Sequence, residues 1–528
     1  MKVATIVGHV GGECKGEFGE QDAWKDGPAK SSEIKDKIKN HIEEIFSFFE
    51  KKNDRRRFDE VERGLRSLLF ALGRLFLAYF LARREESSEE EVARWVRKGY
   101  RRRKPQRKHL NTLFGRVTFW RTYVRRPGGS GLHPLDLALG LTRDGFTLAV
   151  TEACARLCTF LTFEQVTAIM LYFQSWSPSK TTVEKAVLGL GRYTQEWFES
   201  APAPEGDGEI LVIQFDSKAT PTATEEELEK RRGKRENKKR ALSPRHRGRK
   251  KRARRGPKKR RKKGDKSKNG KAATIVTMYT LKKGKDEEGK PALLGPINKR
   301  VYASYAAKRH AFAVARREAD KRGFTRKSRK KIQIVIDGDE DLARFAKDFF
   351  PGATVTLDIM HVLEYVWEAG RYVYPEGSAE LAAWAKRQEG LLYKGKASLV
   401  MTRIWNLRDE VGERARKRLD EIRTYLGKRL TMMNYDELRK EDLEVASGMV
   451  EGAVKHVIAK RFDNGSMRWI RERAEALLQL RCIEINGDWS RFVALVQKKL
   501  ERESRRESTT LRLLTKRPAD LPTFGVAA

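Results

Sequence analysis

Three short apolar runs, each followed directly by an aspartate, constrain the fold of this chain more than any other feature. They occupy residues 210–215, 332–336 and 353–357. Two more apolar segments lie near 272–279 and 292–303. Residues 304–322 and 340–349 have helical character between the later runs. The predicted order is therefore three strands, helix, strand, helix, strand, which is typical of a mixed α/β sheet covered on both faces.

The aspartates that follow these runs are Asp216, Asp337 and Asp358. A lone aspartate is costly to bury in a strand, but several can converge at the carboxyl edge of an α/β sheet, where ligands bind. Clustered carboxylates repel one another unless a cation neutralises them, and oxygen ligands without cysteine or paired histidine favour Mg²⁺ or Mn²⁺. Two such ions about 3.5–4 Å apart stabilise the attacking and leaving oxygens of a phosphodiester. Any one of these aspartates, taken alone, is equally explained as a turn or cap residue, as in Asp337-Gly338.

The positive charge of the chain is concentrated in residues 230–271. This run holds 25 Lys and Arg and two acidic residues, so it supplies +23 of the formal net charge of +40. Such a segment repels itself, and we expect it to be disordered alone and to bind a polyanion. A solubilising linker or a localisation signal is the alternative. The candidate DNA contacts in this run are Arg249, Lys250, Lys251, Arg252, Arg254 and Arg255.

The first part of the chain is predicted to be a loose tail (1–31) and a helical region (32–104). An apolar stripe recurs at helical spacing in that region: Leu65, Leu68, Leu72, Leu75 and Tyr79. We expect it to pack against the next helix of the same chain, and a dimer seam is the alternative. Residues 65–82 contain two arginines and are bounded by two more, so a packed helix is preferred to a membrane span. No export signal is recognised, and we expect a soluble protein in a reducing compartment.

Residues 105–200 combine a small basic hairpin at 110–126 with helices at about 146–160, 163–173 and 180–198. The last two helices are joined by a short turn, and the pattern Thr181-Thr182-Val183-Glu184 has the spacing of a capping box. On a basic chain this pair predicts a helix-turn-helix whose second helix enters the major groove, with Lys180 and Lys185 as DNA contacts. Cys154 and Cys158 are one helical turn apart, and we interpret them as core residues rather than metal ligands.

Four motifs follow one another in a specific order. They are Val-Ile-Gln-Phe-Asp at 212–216, Asp337-Gly338, Asp-Ile-Met-His at 358–361 and Gly-Met-Val-Glu-Gly at 448–452. In this order the chain resembles the DDE transposases of Mutator-like elements and bacterial insertion sequences, especially the Kra type. The resemblance covers about residues 105–492. It implies a ribonuclease-H-like catalytic core at 207–360 with a basic loop at 229–271, an all-α insertion at 361–446, C-terminal core helices at 447–505 and a tail at 506–528.

The resemblance also implies roles for individual residues. Asp216, Asp337 and Glu451 would be the catalytic acids and would hold two Mg²⁺ or Mn²⁺ ions, with Asp358 as the alternative second metal ligand. His361 would be a catalytic residue that hydrogen-bonds a ligand carboxylate or contacts the scissile phosphate, or else a core histidine. Arg468 and Trp469 are candidate DNA contacts, and Trp469 either stacks on an unpaired base or fills the core. Glu475 competes with Glu451, but its Ala-Leu-Leu surroundings favour a packed helix.

Two features depart from the family pattern. Relatives often have paired cysteines after the hairpin, and Arg125-Arg126-Pro127-Gly128-Gly129 has none, so we expect no zinc site there. The basic loop is unusually long for a compact domain.

The function expected from this resemblance is that of a DNA transposase. It would cleave the ends of a mobile element and join the freed 3′-OH to target DNA. Its partners would be double-stranded DNA, both element ends and target, and a second or further copies of the chain. No membrane partner is expected, and the location would be the bacterial cytoplasm, with the nucleoid. The alternative is a non-catalytic DNA-binding protein derived from a transposase.

Overall fold

The structure is a computed structural model that describes residues 27–50, 54–223, 226, 229, 270–328, 330–463 and 469–507. Both predicted tails fall largely outside these residues, as do Arg468 and most of the basic run, including its six candidate DNA contacts. The chain divides into two compact units. The first comprises residues 1–155, 162–189 and 496–515, and the second comprises residues 156–161, 190–495 and 516–528.

The first unit begins with three helices and a small antiparallel sheet. These are α1 (Ser31–Phe49), α2 (Phe58–Glu86), α3 (Glu89–Arg97), β1 (Arg101–Thr112), β2 (Gly115–Arg125), β3 (Gly131–Leu132) and the short α4 (Pro134–Ala138). Three residues of the α2 stripe, Leu72, Leu75 and Tyr79, pack against α1 and the sheet in a cluster with Ile34, Ile38 and Phe119. The prediction that the next helix covers the stripe is wrong for these three residues, because the preceding helix and the hairpin cover them.

The hairpin is longer than its apolar pattern predicts. Arg101 pairs with Arg125, so β1 starts nine residues before the predicted start and inside the region expected to be helical. The first seven residues of β1 are exposed. Alternation of apolar and polar residues is a signal only where one face is buried, and this end of the strand has no such face.

Four helices follow: α5 (Leu148–Cys158), α6 (Phe163–Gln174), α7 (Lys180–Gly191) and α8 (Thr194–Ser200). The turn between α6 and α7 starts at Ser175, which has a left-handed φ of 59°. The start of α7 is capped by Ser179, whose hydroxyl accepts from Thr182 N at 3.2 Å, rather than by the predicted threonine motif. Two helices joined by a short turn are present here, while the helix expected at 180–198 is two helices.

The second unit is built on one mixed sheet. Its elements are β4 (Ile210–Ala223), β5 (Gly270–Lys285), β6 (Pro291–Ser304), α9 (Lys308–Lys321), β7 (Lys331–Ile336), α10 (Glu340–Phe349) and β8 (Thr354–Leu357). The strand order is β6-β5-β4-β7-β8, and a short sixth strand, β9 (Trp469–Ile470), pairs with β4. Strands β4, β5 and β6 are antiparallel, whereas β4, β7 and β8 are parallel. The predicted order of elements and the mixed α/β class are confirmed.

Among the described residues after β8, helices account for the regular structure apart from β9. They are α11 (Ile359–Gly370), α12 (Ala379–Leu392), α13 (Ala397–Asn406), α14 (Glu413–Gly427), α15 (Tyr435–Lys440), α16 (Gly448–Ala453), α17 (Lys460–Phe462), α18 (Arg471–Ile485) and α19 (Trp489–Glu507). Short 3₁₀ turns follow α13 and α14, and a π-helical turn, Val454–Ala459, follows α16. Residues 361–446 are therefore helical, as expected, and they share one apolar core with the sheet.

One helix among the described residues, α2, has the length and apolar composition of a membrane span. A single helix of this kind is weak evidence for a membrane protein, since core helices pass the same test. The buried residues of α2 pack within its own unit.

Candidate carboxylate site

The three predicted aspartates lie in one row. Phe215 on β4 is in register with Ile336 on β7, and Ile336 is in register with Leu357 on β8. The next residues are Asp216, Asp337 and Asp358. Because neighbouring strands lie about 4.8 Å apart, the backbones of these residues are adjacent at one edge of the parallel part of the sheet.

The first strand was predicted to end at Asp216, and this prediction was wrong. Strand β4 continues for seven residues and remains paired with β5, where Asp216 faces Ile275, and then with β9. The pairing with β7 is what ends at Phe215. The apolar pattern stops there because the antiparallel extension beyond Asp216 carries polar residues such as Ser217 and Lys218.

Asp216 is half-buried and lies in the electrostatic field of three other predicted site residues. Burial raises the pKa of its carboxyl group, and the negative charges of Asp337 and Glu451 raise it further. A hydrogen bond from Ser217 N and the nearby His361 act in the opposite direction. The chain thus brings together side chains that are up to 235 positions apart, although the sequence separates them into four motifs.

Asp358 is fully buried and both of its oxygens are engaged. It is the N-cap of α11: Oδ1 accepts from Met360 N at 2.9 Å, and Oδ2 accepts from the hydroxyl of Ser447. His361 Nε2 lies 3.9 Å from the same Oδ2. These contacts make Asp358 a structural support for α11 and for the segment before α16, and they favour Asp337 as the second metal ligand.

Asp337 sits in a turn that the helical insertion holds in place. Gly338 has a φ of 84°, and a side chain there would meet the Tyr425 hydroxyl of α14 at 2.2 Å. That hydroxyl donates to Asp337 O at 2.8 Å, and Arg429 Nε donates to Gly338 O at 2.7 Å. Glycine at position 338 is therefore required by backbone geometry and by close packing.

Glu451 lies on α16, and a buried glutamine attaches this helix to the strand of Asp216. Gln214 Oε1 accepts from Val450 N at 2.9 Å, while its Nε2 donates to Ala446 O and to the Tyr279 hydroxyl. Gln214 and Asp216 are two positions apart on β4, so they share a face of the sheet. The π-helical turn that follows α16 is a feature often found at functional sites.

A second buried glutamine holds the segment that leads into α16. Gln333 on β7 donates to Glu444 O at 2.6 Å and accepts from Glu444 N at 3.1 Å. The Tyr279 hydroxyl in turn donates to the Glu444 carboxylate at 2.9 Å. We call Gln214 and Gln333 the glutamine pair. These two residues were not predicted from the sequence, although a glutamine inside an apolar strand is a usable signal, since a buried amide needs hydrogen-bond partners.

The donor set suits a hard divalent cation. Asp216, Asp337 and Glu451 would supply carboxylate oxygens, and a cation between them would relieve the burial and repulsion that raise the pKa of Asp216. No group of three or more acidic, histidine or cysteine side chains lies at metal-holding spacing among the residues that the structure describes. Asp216, Asp337 and Glu451 are therefore close enough to influence one another's charge. That they bind a metal ion together stays a prediction.

The other candidates occupy different surroundings. Trp469 is only 8% exposed and packs on Phe462, with the Arg461 guanidinium 4.7 Å from its ring centre, so the base-stacking interpretation is wrong for this conformation. Its short strand β9 adds to β4 and buries the ring. Glu475 is buried, and its oxygens accept from the Ser304 hydroxyl and Tyr305 N, so the packed-helix interpretation is favoured.

The remaining predicted positions lie on the helices of residues 148–191. Lys180 is exposed at the start of α7 and pairs with Glu164 at 2.8 Å, whereas Lys185 is half-buried. Cys154 and Cys158 are both buried, and burial raises the pKa of the Cys154 thiol to about 12, which disfavours a metal-binding thiolate. This environment supports the interpretation of a core residue.

No protein-family model matches the chain, and no curated protein matches it.

Proposed function

We propose that this protein is a DNA transposase of the DDE class, with a ribonuclease-H-like catalytic domain. The observation that carries the proposal is the row of Asp216 and Asp337 on paired strands, with Glu451 within electrostatic reach on a helix that Gln214 attaches to β4. The element order and the helical insertion between β8 and α16 support the same fold.

In this proposal, two Mg²⁺ or Mn²⁺ ions would activate water and stabilise the oxygens that attack and leave the phosphodiester. Asp216, Asp337 and Glu451 would hold these ions. The glutamine pair and the Asp358–Ser447 contact keep α16 and the segment before it against the sheet, with Glu451 within electrostatic reach of Asp216. His361, one-third exposed in the first turn of α11, would contact a phosphate or orient a carboxylate.

The charge of the chain supports a nucleic-acid partner. A net charge of +40 attracts a polyanion at long range, and each phosphate contact releases condensed counterions. Helices α6 and α7 supply a candidate reading element for the ends of the mobile element. In this proposal the basic run 230–271, which joins β4 to β5, holds the DNA backbone without reading sequence.

The test is nicking and joining of supercoiled DNA that carries the element's ends, with and without Mg²⁺. Asp216→Asn, Asp337→Asn and Glu451→Gln should each abolish both reactions and leave the affinity for DNA nearly unchanged. Deleting residues 230–271 should instead weaken binding and flatten its dependence on salt. Nicking that survives all three substitutions would refute the assignment of the acids.

A second candidate function is DNA binding without catalysis. It is favoured by the absence, within the described part of the chain, of three ligand side chains at metal-holding spacing. In that case DNA binding would be intact in the same assay, and neither Mg²⁺ nor Mn²⁺ would produce nicks.

A further inference from the structure

Helix α2 has a second apolar face that lies opposite its packed side. Phe58, Leu69, Phe76 and Phe80 are 83%, 49%, 50% and 51% exposed. At 3.6 residues per turn, these four positions lie within about 40° of one another around the helix. The buried residues Leu68, Ala78 and Leu81 point to the other side, toward α1 and the hairpin. A contiguous exposed apolar face of this kind is typical of an interaction site.

The sequence of this face is symmetric about its centre. Glu62, Leu65 and Arg83 lie on the same side of the helix as the exposed apolar residues. The pairs Glu62 and Arg83, Leu65 and Phe80, and Leu69 and Phe76 all have their midpoint between Leu72 and Gly73. Both Glu62 and Arg83 are exposed. We call these six residues the α2 outer face.

We propose that the α2 outer face binds the same face of a second copy of this chain, with the two helices antiparallel. A two-fold axis near Leu72 and Gly73 would then place Leu69 against Phe76 and Leu65 against Phe80, each contact occurring twice. It would also place each Glu62 opposite an Arg83. A parallel pair would instead bring like charges together at both ends. The contact runs for about 33 Å at 1.5 Å per residue.

This inference concerns the first unit and does not depend on the proposed function. Charge complementarity favours a second copy over a lipid surface. The α2 outer face has one acid and one base, placed symmetrically, and an antiparallel copy would pair both of them, whereas a lipid surface offers no such matched pairing. The antiparallel pair satisfies both the apolar residues and the charges.

The test is sedimentation equilibrium of the full-length, nuclease-treated protein from about 0.1 to 100 µM. We expect a dimer for the natural chain and at least about a hundredfold weaker association for Phe76→Glu, equivalent to about 2.7 kcal/mol. Phe173→Ser, which removes an exposed aromatic ring from α6, is the matched control and should leave the dissociation constant unchanged. Circular dichroism shows whether each variant remains folded.

Charge reversal identifies the partner and the orientation. Glu62→Arg and Arg83→Glu should each weaken the dimer by about tenfold, because each creates two like-charge pairs across the two-fold axis. The double variant should restore the dimer, since the exchanged side chains would again place a base opposite an acid at both ends. Three results would overturn the proposal: a monomer at every concentration, a dimer that Phe76→Glu leaves intact, or single reversals that the double variant does not rescue. Binding of the monomer to neutral lipid vesicles that Phe76→Glu abolishes would assign the face to a membrane instead.

Discussion

Asp358 allows a direct test of which aspartate is the second metal ligand. Its Oδ1 caps α11 and its Oδ2 accepts from Ser447. In Asp358→Ala the lost cap costs about 0.5–2 kcal/mol. The buried Ser447 hydroxyl, left without its acceptor, costs about 1–3 kcal/mol. We therefore expect a loss of about 2–4 kcal/mol in the free energy of unfolding.

Asp358→Asn should behave differently. Asparagine caps helices as well as aspartate does, and its amide group can donate to the Ser447 oxygen, so we expect a loss within about 1 kcal/mol. If Asp358 is structural, this variant should retain Mg²⁺-dependent nicking within about tenfold, or 1.4 kcal/mol in the activation free energy.

The matched control is Asp337→Asn. Its Oδ1 accepts from Asp339 N at 3.0 Å, and asparagine preserves that bond. This variant should be at least as stable as the natural protein, because it also removes the repulsion between Asp337 and Asp216, and it should not nick DNA. The measurements are urea unfolding of all three variants and nicking of supercoiled DNA by the two asparagine variants. An inactive but stable Asp358→Asn beside an active Asp337→Asn would refute the reasoning.

Three further predictions follow from the site. Burial and the charges of Asp337 and Glu451 raise the pKa of Asp216 in the folded chain. The folded chain therefore binds a proton at Asp216 more tightly than the unfolded chain does, and the free energy of unfolding falls as the pH rises through the folded-state pKa. Asp216→Asn should therefore raise the melting temperature at pH 7 in EDTA, and it should remove the stabilisation by Mg²⁺, which is about 1.4 kcal/mol at ten times the dissociation constant. Gln214→Met keeps the side-chain volume but loses the bond to Val450 N. It should reduce nicking more than tenfold while costing about 1–3 kcal/mol in urea unfolding; unchanged nicking would contradict its positioning role. Gly338→Ala should destabilise the protein by more than about 1 kcal/mol in the same unfolding assay, since the new methyl group meets Tyr425 at positive φ, and an unchanged midpoint would contradict this.

Local sequence patterns were sufficient for the order of the strands and first helices of the second unit, but not for the end of β4 or for β9. Apolar runs of five or six residues ended at the three aspartates, and the structure has β7, α10 and β8 within one residue of the predicted bounds. Such runs are informative because a strand buried on both faces must be apolar at nearly every position. The predicted start of strand β1 was wrong for the opposite reason. The outer end of this strand is exposed, and its arginines and lysines show no alternation of apolar and polar residues.

The sequence also predicted which residue types form the candidate site, but it did not predict the burial or the hydrogen-bond partners of their side chains. Asp216, Asp337 and Asp358 follow equivalent apolar runs, so the sequence could not distinguish an accessible ligand from a cap. Tertiary contacts distinguish them: Ser447, 89 positions along the chain, reaches Asp358, while α14 supports only the backbone of the Asp337 turn. The role of Trp469 was equally ambiguous from the sequence, and only the pairing of β9 with β4 shows that its ring is buried.

The amino-acid sequence alone was enough to establish the element order, the mixed α/β class, the polycationic character and the positions of the acidic motifs, because these depend on local periodicity and on composition. Strand register, the docking of α16 by the glutamine pair and the exposure of one face of α2 depended on the folded chain. These properties come from contacts between residues tens to hundreds of positions apart. A hydrogen bond or a buried surface between such distant residues produces little pattern in the local sequence around either residue.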